Sequence, residues 1–345
     1  MRKTFVAILA FSVLSVAAPA PAGNDGDRLY PALRGGKWGS VDRTGKVVVE
    51  PRWSAAYSFS GGLAPVRTAA GKWGYVDRSG KAVIPARYDM AGVFREGLAM
   101  VKTGDRMGYI DLSGKEVIPP KYVGAYPFSD GRGMVVGTDY KWGFVDRSGK
   151  EVVPLRYDSA YGFTEGLAVV VLDGKAAYID RDGKVTIDAS RFDLVMPFFD
   201  GRAIAMAGDR WGFIDRSGKE VVPKTWDGAF PYSGGLAAVN KGGRVKRSPA
   251  PSIEGGKWGY VDRDGKVVIA PRFDFVGKFT EGLAPVNVGG VGVGKWGYVD
   301  NTGKTVIAPA FDEASEFLDG LARVKAGGKV GYIDRAGKFI WPLQE

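Results

Sequence analysis

The chain has 345 residues, a formal net charge of +10, 45% hydrophobic residues, 52 glycines, and neither Cys nor His. Without Cys and His there is no Ser-His or Cys-His nucleophile pair, no Cys/His zinc site and no disulfide. Glycine at about twice its usual share, with no three-residue period, points to many tight turns and an all-β chain.

Residues 1–22 read as a secretory signal peptide. Arg2 and Lys3 precede an apolar run from Phe5 to Ala18, and Ala18-Pro19-Ala20 and Ala20-Pro21-Ala22 offer small-residue cleavage sites. The run is too short to cross a bilayer comfortably, and no later stretch of the mature chain reads as a membrane span. The expected location is the periplasm or the cell exterior. Loss of Arg2 and Lys3 leaves a charge of 10 − 2 = +8. On an exported protein that charge suggests anionic envelope polymers as partners more than nucleic acid. Residues 23–34 read as an N-terminal linker.

From residue 35 one motif recurs. Its Trp position falls at Trp38, Trp73, Met107, Trp142, Ala176, Trp211, Trp258, Trp296 and Val330, in steps of 35, 34, 35, 34, 35, 47, 38 and 34 residues. This spacing gives repeats one to six over 35–240, an insert over 241–256, and repeats seven to nine over 257–345, the last one partial. The insert, KGGRVKRSPAPSIEGG, is basic and rich in Gly, Pro and Ser, and reads as a surface loop. A shorter Gly/Val loop covers Val288–Gly294.

Repeat two serves as the template. GKWGYVD alternates, with Trp73 and Tyr75 on one face and Gly74 and Val76 on the other. Asp77-Arg78-Ser79-Gly80 has Asp first and Gly fourth, which predicts a type I turn leaving through a left-handed glycine. Ala82-Val83-Ile84 returns as a second strand, closed by Pro85. Leu98-Ala99-Met100-Val101 is a third strand, entered through Glu96-Gly97. Its Ala/Val face recurs at Ala64/Val66, Ala168/Val170, Ala237/Val239, Ala284/Val286 and Ala322/Val324, which implies close approach to a neighbouring element. Two rings six residues apart recur in all eight full repeats, from Trp53/Phe59 and Tyr88/Phe94 to Phe311/Phe317. They read as the plug between successive units, or else as a ladder of platforms for sugar rings. No unit of this size is expected to stand alone, so stacking supplies the stability.

The string Lys-Trp-Gly-Tyr-Val-Asp-Arg-x-Gly-Lys, then Val-Ile-x-Pro-x-Tyr-Asp, then Phe-x-x-Gly-Leu-Ala-x-Val, resembles the WG-repeat (KWG-repeat) proteins of bacteria over about residues 35–342. The resemblance implies a β-rich repeat protein, often exported, of generally unassigned role. A looser analogy is to cell-wall-binding aromatic repeats. Met107, Ala176 and Val330 depart from the pattern at the Trp position, and Ser40 at the Tyr position.

Three rows of residues are the candidates for function. The Trp row (Trp38, Trp73, Trp142, Trp211, Trp258, Trp296) reads as structural, with ligand contact as its sharper reading. The turn Asp row (Asp42, Asp77, Asp146, Asp215, Asp262, Asp300) recurs in every copy, whereas an active site needs a unique constellation, so it reads as a cap on turn amides. The acids Glu96, Asp130, Glu165, Asp200, Glu281 and Asp319 read the same way. The Lys row (Lys46, Lys81, Lys150, Lys219, Lys266, Lys304) is expected to form a basic rim beside an acidic row. It reads as a solvated hairpin tip that blunts aggregation, or as a docking edge for an anionic polymer or a protein.

Two apparent motifs fail on inspection. Gly289–Lys295 has phosphate-loop spacing, but Trp296 stands where a hydroxyl is required. Asp180-Arg181-Asp182-Gly183 and Asp262-Arg263-Asp264-Gly265 lack the later ligands of a calcium loop.

The sequence therefore predicts an all-β tandem array of three-stranded units of about 35 residues, stacked as an open curved solenoid, with a closed β-propeller as the alternative. Its expected function is non-catalytic binding or scaffolding in the bacterial envelope, with no cofactor and no metal. The partner would be an envelope polysaccharide or a protein. Alternatives are a cell-wall or anionic polysaccharide binding module and, more distantly, a carboxylate-dependent glycan hydrolase.

Overall fold

The computed structural model describes residues 28–246, 252–290 and 292–344, and every regular element among them is a β-strand. The signal-peptide reading of residues 1–22 lies outside the described residues. The first sheet has three strands, β1 (Tyr30–Arg34), β2 (Lys37–Val41) and β3 (Val47–Trp53). So part of the expected linker is a strand, paired with the first Trp-Gly strand. The second sheet has four, β4 (Ala55–Ala56), β5 (Ala64–Arg67), β6 (Trp73–Val76) and β7 (Ala82–Tyr88), in that spatial order and all antiparallel. Seven more four-stranded sheets of the same order follow, over residues 90–122, 124–157, 159–188, 194–226, 228–273, 275–311 and 313–344.

The open solenoid of three-stranded units is thereby corrected. Among the described residues no strand hydrogen-bonds to a strand of another sheet, so they do not build the continuous sheets of a solenoid. It builds separate four-stranded meanders that meet face to face through side chains, which is the construction of a β-propeller. The expected third strand is also reassigned. Leu98–Thr103 pairs with the following Trp-Gly-type strand Arg106–Asp111, with Val101 opposite Gly108, and not with Trp73–Val76. Each repeat thus spans the last two strands of one sheet and the first two of the next. The missed element is the two-residue strand, such as Ala55–Ala56, too short to leave an alternating pattern.

The chain divides into two compact units. One ends at Asp173 and takes in Tyr178–Thr186; the other comprises Gly174–Ala177 and the chain from Ile187 onward. Inside each unit the apolar clusters lie between consecutive sheets. In the first, Trp73, Tyr75, Ile84 and Tyr88 of one sheet pack with Ala91, Phe94, Ala99 and Val101 of the next. In the second, Phe213 and Val222 pack with Tyr232, Ala237 and Val239.

Candidate functional site

Antiparallel order places the turn between the first and second strands beside the turn between the third and fourth. At this end of the second sheet lie Ser60–Leu63 and Asp77–Gly80. The opposite end carries the turn between the second and third strands and the link to the next sheet.

The Trp-Gly strand is occupied by structure. Trp73, Trp211 and Trp258 are buried, Trp38, Trp142 and Trp296 are half-buried, and none is exposed. Gly74 faces the bulged strand β7, where a Cβ would sit 2.5 Å from the Ile84 carbonyl oxygen. Gly39, Gly108, Gly143, Gly212, Gly259 and Gly297 meet the same obstacle. The ring two residues after Trp reaches the next sheet. Tyr75 lies 4.9 Å from Phe94, Tyr109 5.0 Å from Phe128, Tyr260 4.7 Å from Phe279 and Tyr298 4.9 Å from Phe317. The hydroxyls of Tyr75, Tyr109, Tyr260 and Tyr298 donate to carbonyls of Gly92, Tyr126, Gly277 and Ser315 in the next sheet. Burial raises the pKa of each.

Each turn Asp folds back on its own hairpin. Asp77 Oδ1 accepts from the Ser79 amide, the Ser79 hydroxyl and the Lys81 amide at 2.9, 2.6 and 3.0 Å. Asp42, Asp146, Asp215 and Asp300 repeat that set, and Asp262 accepts from the amides of Asp264 and Lys266. The Ser or Thr hydroxyl is the main cause that holds Asp42, Asp77, Asp146, Asp215 and Asp300 below the usual carboxylate value. The closing glycine also seats a neighbour: Gly80 packs on Val49 of the preceding sheet, and its carbonyl accepts from Arg52 of that sheet at 2.5 Å. Arg191 and Arg272 latch Gly218 and Gly303 alike.

Most of the acidic row is engaged from sheet to sheet. Glu96, Asp130, Glu165, Asp200, Glu281 and Asp319 all adopt φ near +50°, the left-handed region. Four of their carboxylates accept the turn glycine amide of the next sheet: Glu96 from Gly131 (2.9 Å), Asp130 from Gly166 (2.6 Å), Asp200 from Gly235 (2.8 Å) and Glu281 from Gly320 (2.9 Å). The two Asp-Arg-Asp-Gly turns have their own partner. Arg132 Nε donates to the Arg181 carbonyl at 2.9 Å and pairs with Asp182 at 3.6 Å, and Arg202 reaches the Arg263 carbonyl. In six of the eight full turns of this kind Leu stands at the Arg132 and Arg202 position.

The lysine row stands apart. Lys46, Lys81, Lys150, Lys219, Lys266 and Lys304 are all exposed, as are Lys115, Lys184 and Lys338 in the remaining copies. None of these ammonium groups forms an ion pair among the described residues. They sit one per sheet, each directly after a turn glycine, and the turns at Gly80, Gly114, Gly218 and Gly303 are held by an Arg of the preceding repeat.

Sequence reasoning overlooked a further row at the opposite end. Asp89 takes the Lys72 ammonium on one oxygen and the Gly104 amide of the next sheet, at 2.8 Å, on the other. Asp158 and Asp274 repeat this with Lys141 (2.7 Å) and Lys257 (2.6 Å), Asp312 with Lys295, and Asp227 with Arg210. The constant 17-residue separation of cation and Asp was the available signal. The Trp73 ring is stacked by Tyr57 at 5.1 Å, and Tyr57 is 49% exposed.

A family model described as WG containing repeat matches residues 38–72, 73–106, 107–140, 142–175, 177–211, 211–244, 258–291 and 296–329. No curated protein sequence matches the chain. Among solved structures, BamB from Moraxella catarrhalis is similar at 12% identity and TM-score 0.40, covering 74% of this chain and 92% of that one. PorZ, a surface component of the type-IX secretion system of Porphyromonas gingivalis, is similar at 13% identity and TM-score 0.31, covering 93% of this chain and 51% of that one. Hsv2 from Kluyvelomyces marxianus is similar at 9% identity and TM-score 0.40, covering 69% and 89%. These values are too low to carry anything from those proteins to this chain.

Proposed function

Because the chain belongs to the WG-containing repeat family, we propose that it is a non-catalytic binding or scaffolding protein exported to the bacterial envelope, and that its repeated surface holds an anionic polymer. One observation carries this reading. The tryptophans, turn carboxylates and acidic turns are engaged inside or between sheets, while one unpaired lysine per sheet faces solvent. A row of exposed cations whose ammonium groups are not held in ion pairs attracts a chain of negative groups, even with a turn carboxylate near each one, and neighbouring contacts add. The export-like residues 1–22 support the location.

The test is binding of dextran sulfate and polygalacturonate to the mature chain at rising salt. Lys81→Gln, Lys115→Gln and Lys150→Gln combined should weaken binding by about tenfold at low salt, and salt should erode the wild-type affinity. Unchanged affinity in the triple variant would overturn the reading. A second reading, stacking of neutral cell-wall glycan, is favoured by the exposed Tyr57 face over Trp73. It requires that an uncharged glycan shift tryptophan emission and that Tyr57→Ala abolish the shift.

A further inference from the structure

The described parts of the insert over 241–256, residues 241–246 and 252–256, are built elements. Its flanks extend the second and third strands of their sheet into ten-residue strands, Ala237–Lys246 and Ser252–Val261. Beyond Asn240 and Trp258 the two continue as a ribbon, with Gly243 opposite Gly255, Arg244 opposite Glu254, Val245 opposite Ile253 and Lys246 opposite Ser252.

The ribbon is fastened at its base. Asn240 is fully buried; its Nδ2 donates to the Gly255 carbonyl at 3.2 Å and its Oδ1 accepts from the Gly243 amide at 3.0 Å. The Gly242 amide donates to Asp227 at 2.7 Å. Ile253 packs against the apolar clusters on both sides of its sheet. It occupies room that Gly228 leaves, since a Cβ there would lie 2.7 Å from Ile253. Strand alternation then turns Arg244, Lys246 and Glu254 to the opposite face, where all three are exposed. Glu254 pairs with Lys246, so Arg244 has no carboxylate partner among the described residues. No third strand flanks the ribbon among the described residues, which leaves backbone donors and acceptors open along its edge.

We propose that this ribbon is a docking edge for an acidic, extended polypeptide segment of a partner protein, which adds to it as a third strand. Strand addition draws its affinity from main-chain hydrogen bonds and its selectivity from alternate side chains, and here two of the three charged outward side chains are basic, with Arg244 left beside the Lys246–Glu254 pair. A glycan fits less well, because residues 241–257 contain no aromatic ring on which a sugar could stack.

The probe is a fluorescein-labelled peptide of alternating Glu and Val, followed by anisotropy with the full mature chain. A second peptide of identical sequence carries N-methyl groups at alternate amides and cannot pair along its edge. The expected result is binding of the first peptide, with at least about tenfold loss on N-methylation and a similar loss in R244E/K246E. Circular dichroism and thermal unfolding verify that the variant is folded; both positions are exposed. Equal binding of the N-methylated peptide, unchanged affinity in R244E/K246E, or no binding up to about 1 mM peptide would each overturn the proposal. So would dextran sulfate binding that R244E/K246E abolishes while the peptide stays unbound.

Discussion

Glycines in this chain do two different jobs, and a methyl group separates them. At Gly74 the added Cβ meets the Ile84 carbonyl at 2.5 Å and the Ala86 amide nitrogen at 2.7 Å. Backbone cannot swing aside as a side chain can, so Gly74→Ala should cost about 2–3 kcal/mol in urea unfolding. At Gly131 nothing lies within 4 Å, but φ is +76°. Gly131→Ala should cost about 1–2 kcal/mol, from backbone conformation alone. Asn287 offers the reverse case. It is fully buried, and neither its Oδ1 nor its Nδ2 finds a partner among the described residues. The corresponding positions of two other sheets hold Val136 and Val171, both buried. Asn287→Val should therefore stabilise the protein by about 1–2 kcal/mol, read from the urea midpoint at constant slope. The recurrence of glycine at the Gly74 position, broken by Ala177, was legible in the sequence, along with the idea of close approach; that the obstacle is the bulged strand of its own sheet was not. Asn287 left no trace, because its burial depends on Phe275 and Trp296, which stand opposite it only after the strands pair.

The hairpin turn is the element on which pH acts. Ser or Thr hydroxyls and turn amides hold Asp42, Asp77, Asp111, Asp146, Asp215 and Asp300 below the unfolded value of 3.8. Lysine contacts do the same for Asp89, Asp274 and Asp312. A carboxylate with a depressed folded pKa contributes stability that is full above its unfolded pKa and is lost as pH falls through the folded one. Stability should hold down to about pH 4 and then fall over the next units. Ser79→Ala, Ser113→Ala and Ser148→Ala combined should move the acid midpoint to higher pH, because those carboxylates then titrate nearer their unfolded value. Circular dichroism against pH checks this, and an unmoved midpoint would mean the turns do not govern acid unfolding. Asp first and Gly fourth made this turn readable in the sequence. The acidic turns were read only as capped amides, because their partners, such as Gly131 for Glu96, lie a whole repeat away.

At the scale of the whole molecule, period and phase were unequally visible. The steps of 34 and 35 residues fix the period, yet a repeat looks the same wherever it is cut. Trp38 opens each copy in sequence, while a sheet opens at a position such as Ala55. That offset is why the chain read as three-stranded units in a solenoid. The same offset makes every repeat a covalent link between two sheets, which suits an array whose stability is a sum of neighbour contacts. The net charge of +10 was legible as a number. Which cations are held in ion pairs was not, since Lys72 and Lys81 look alike in the motif and only the first closes an ion pair with a carboxylate. The central claim is that the signature rings join one sheet to the next. A double-mutant cycle on Tyr75→Leu and Phe94→Leu in urea tests it most directly. A coupling of about 0.5–1.5 kcal/mol is the predicted result; strictly additive losses would contradict it.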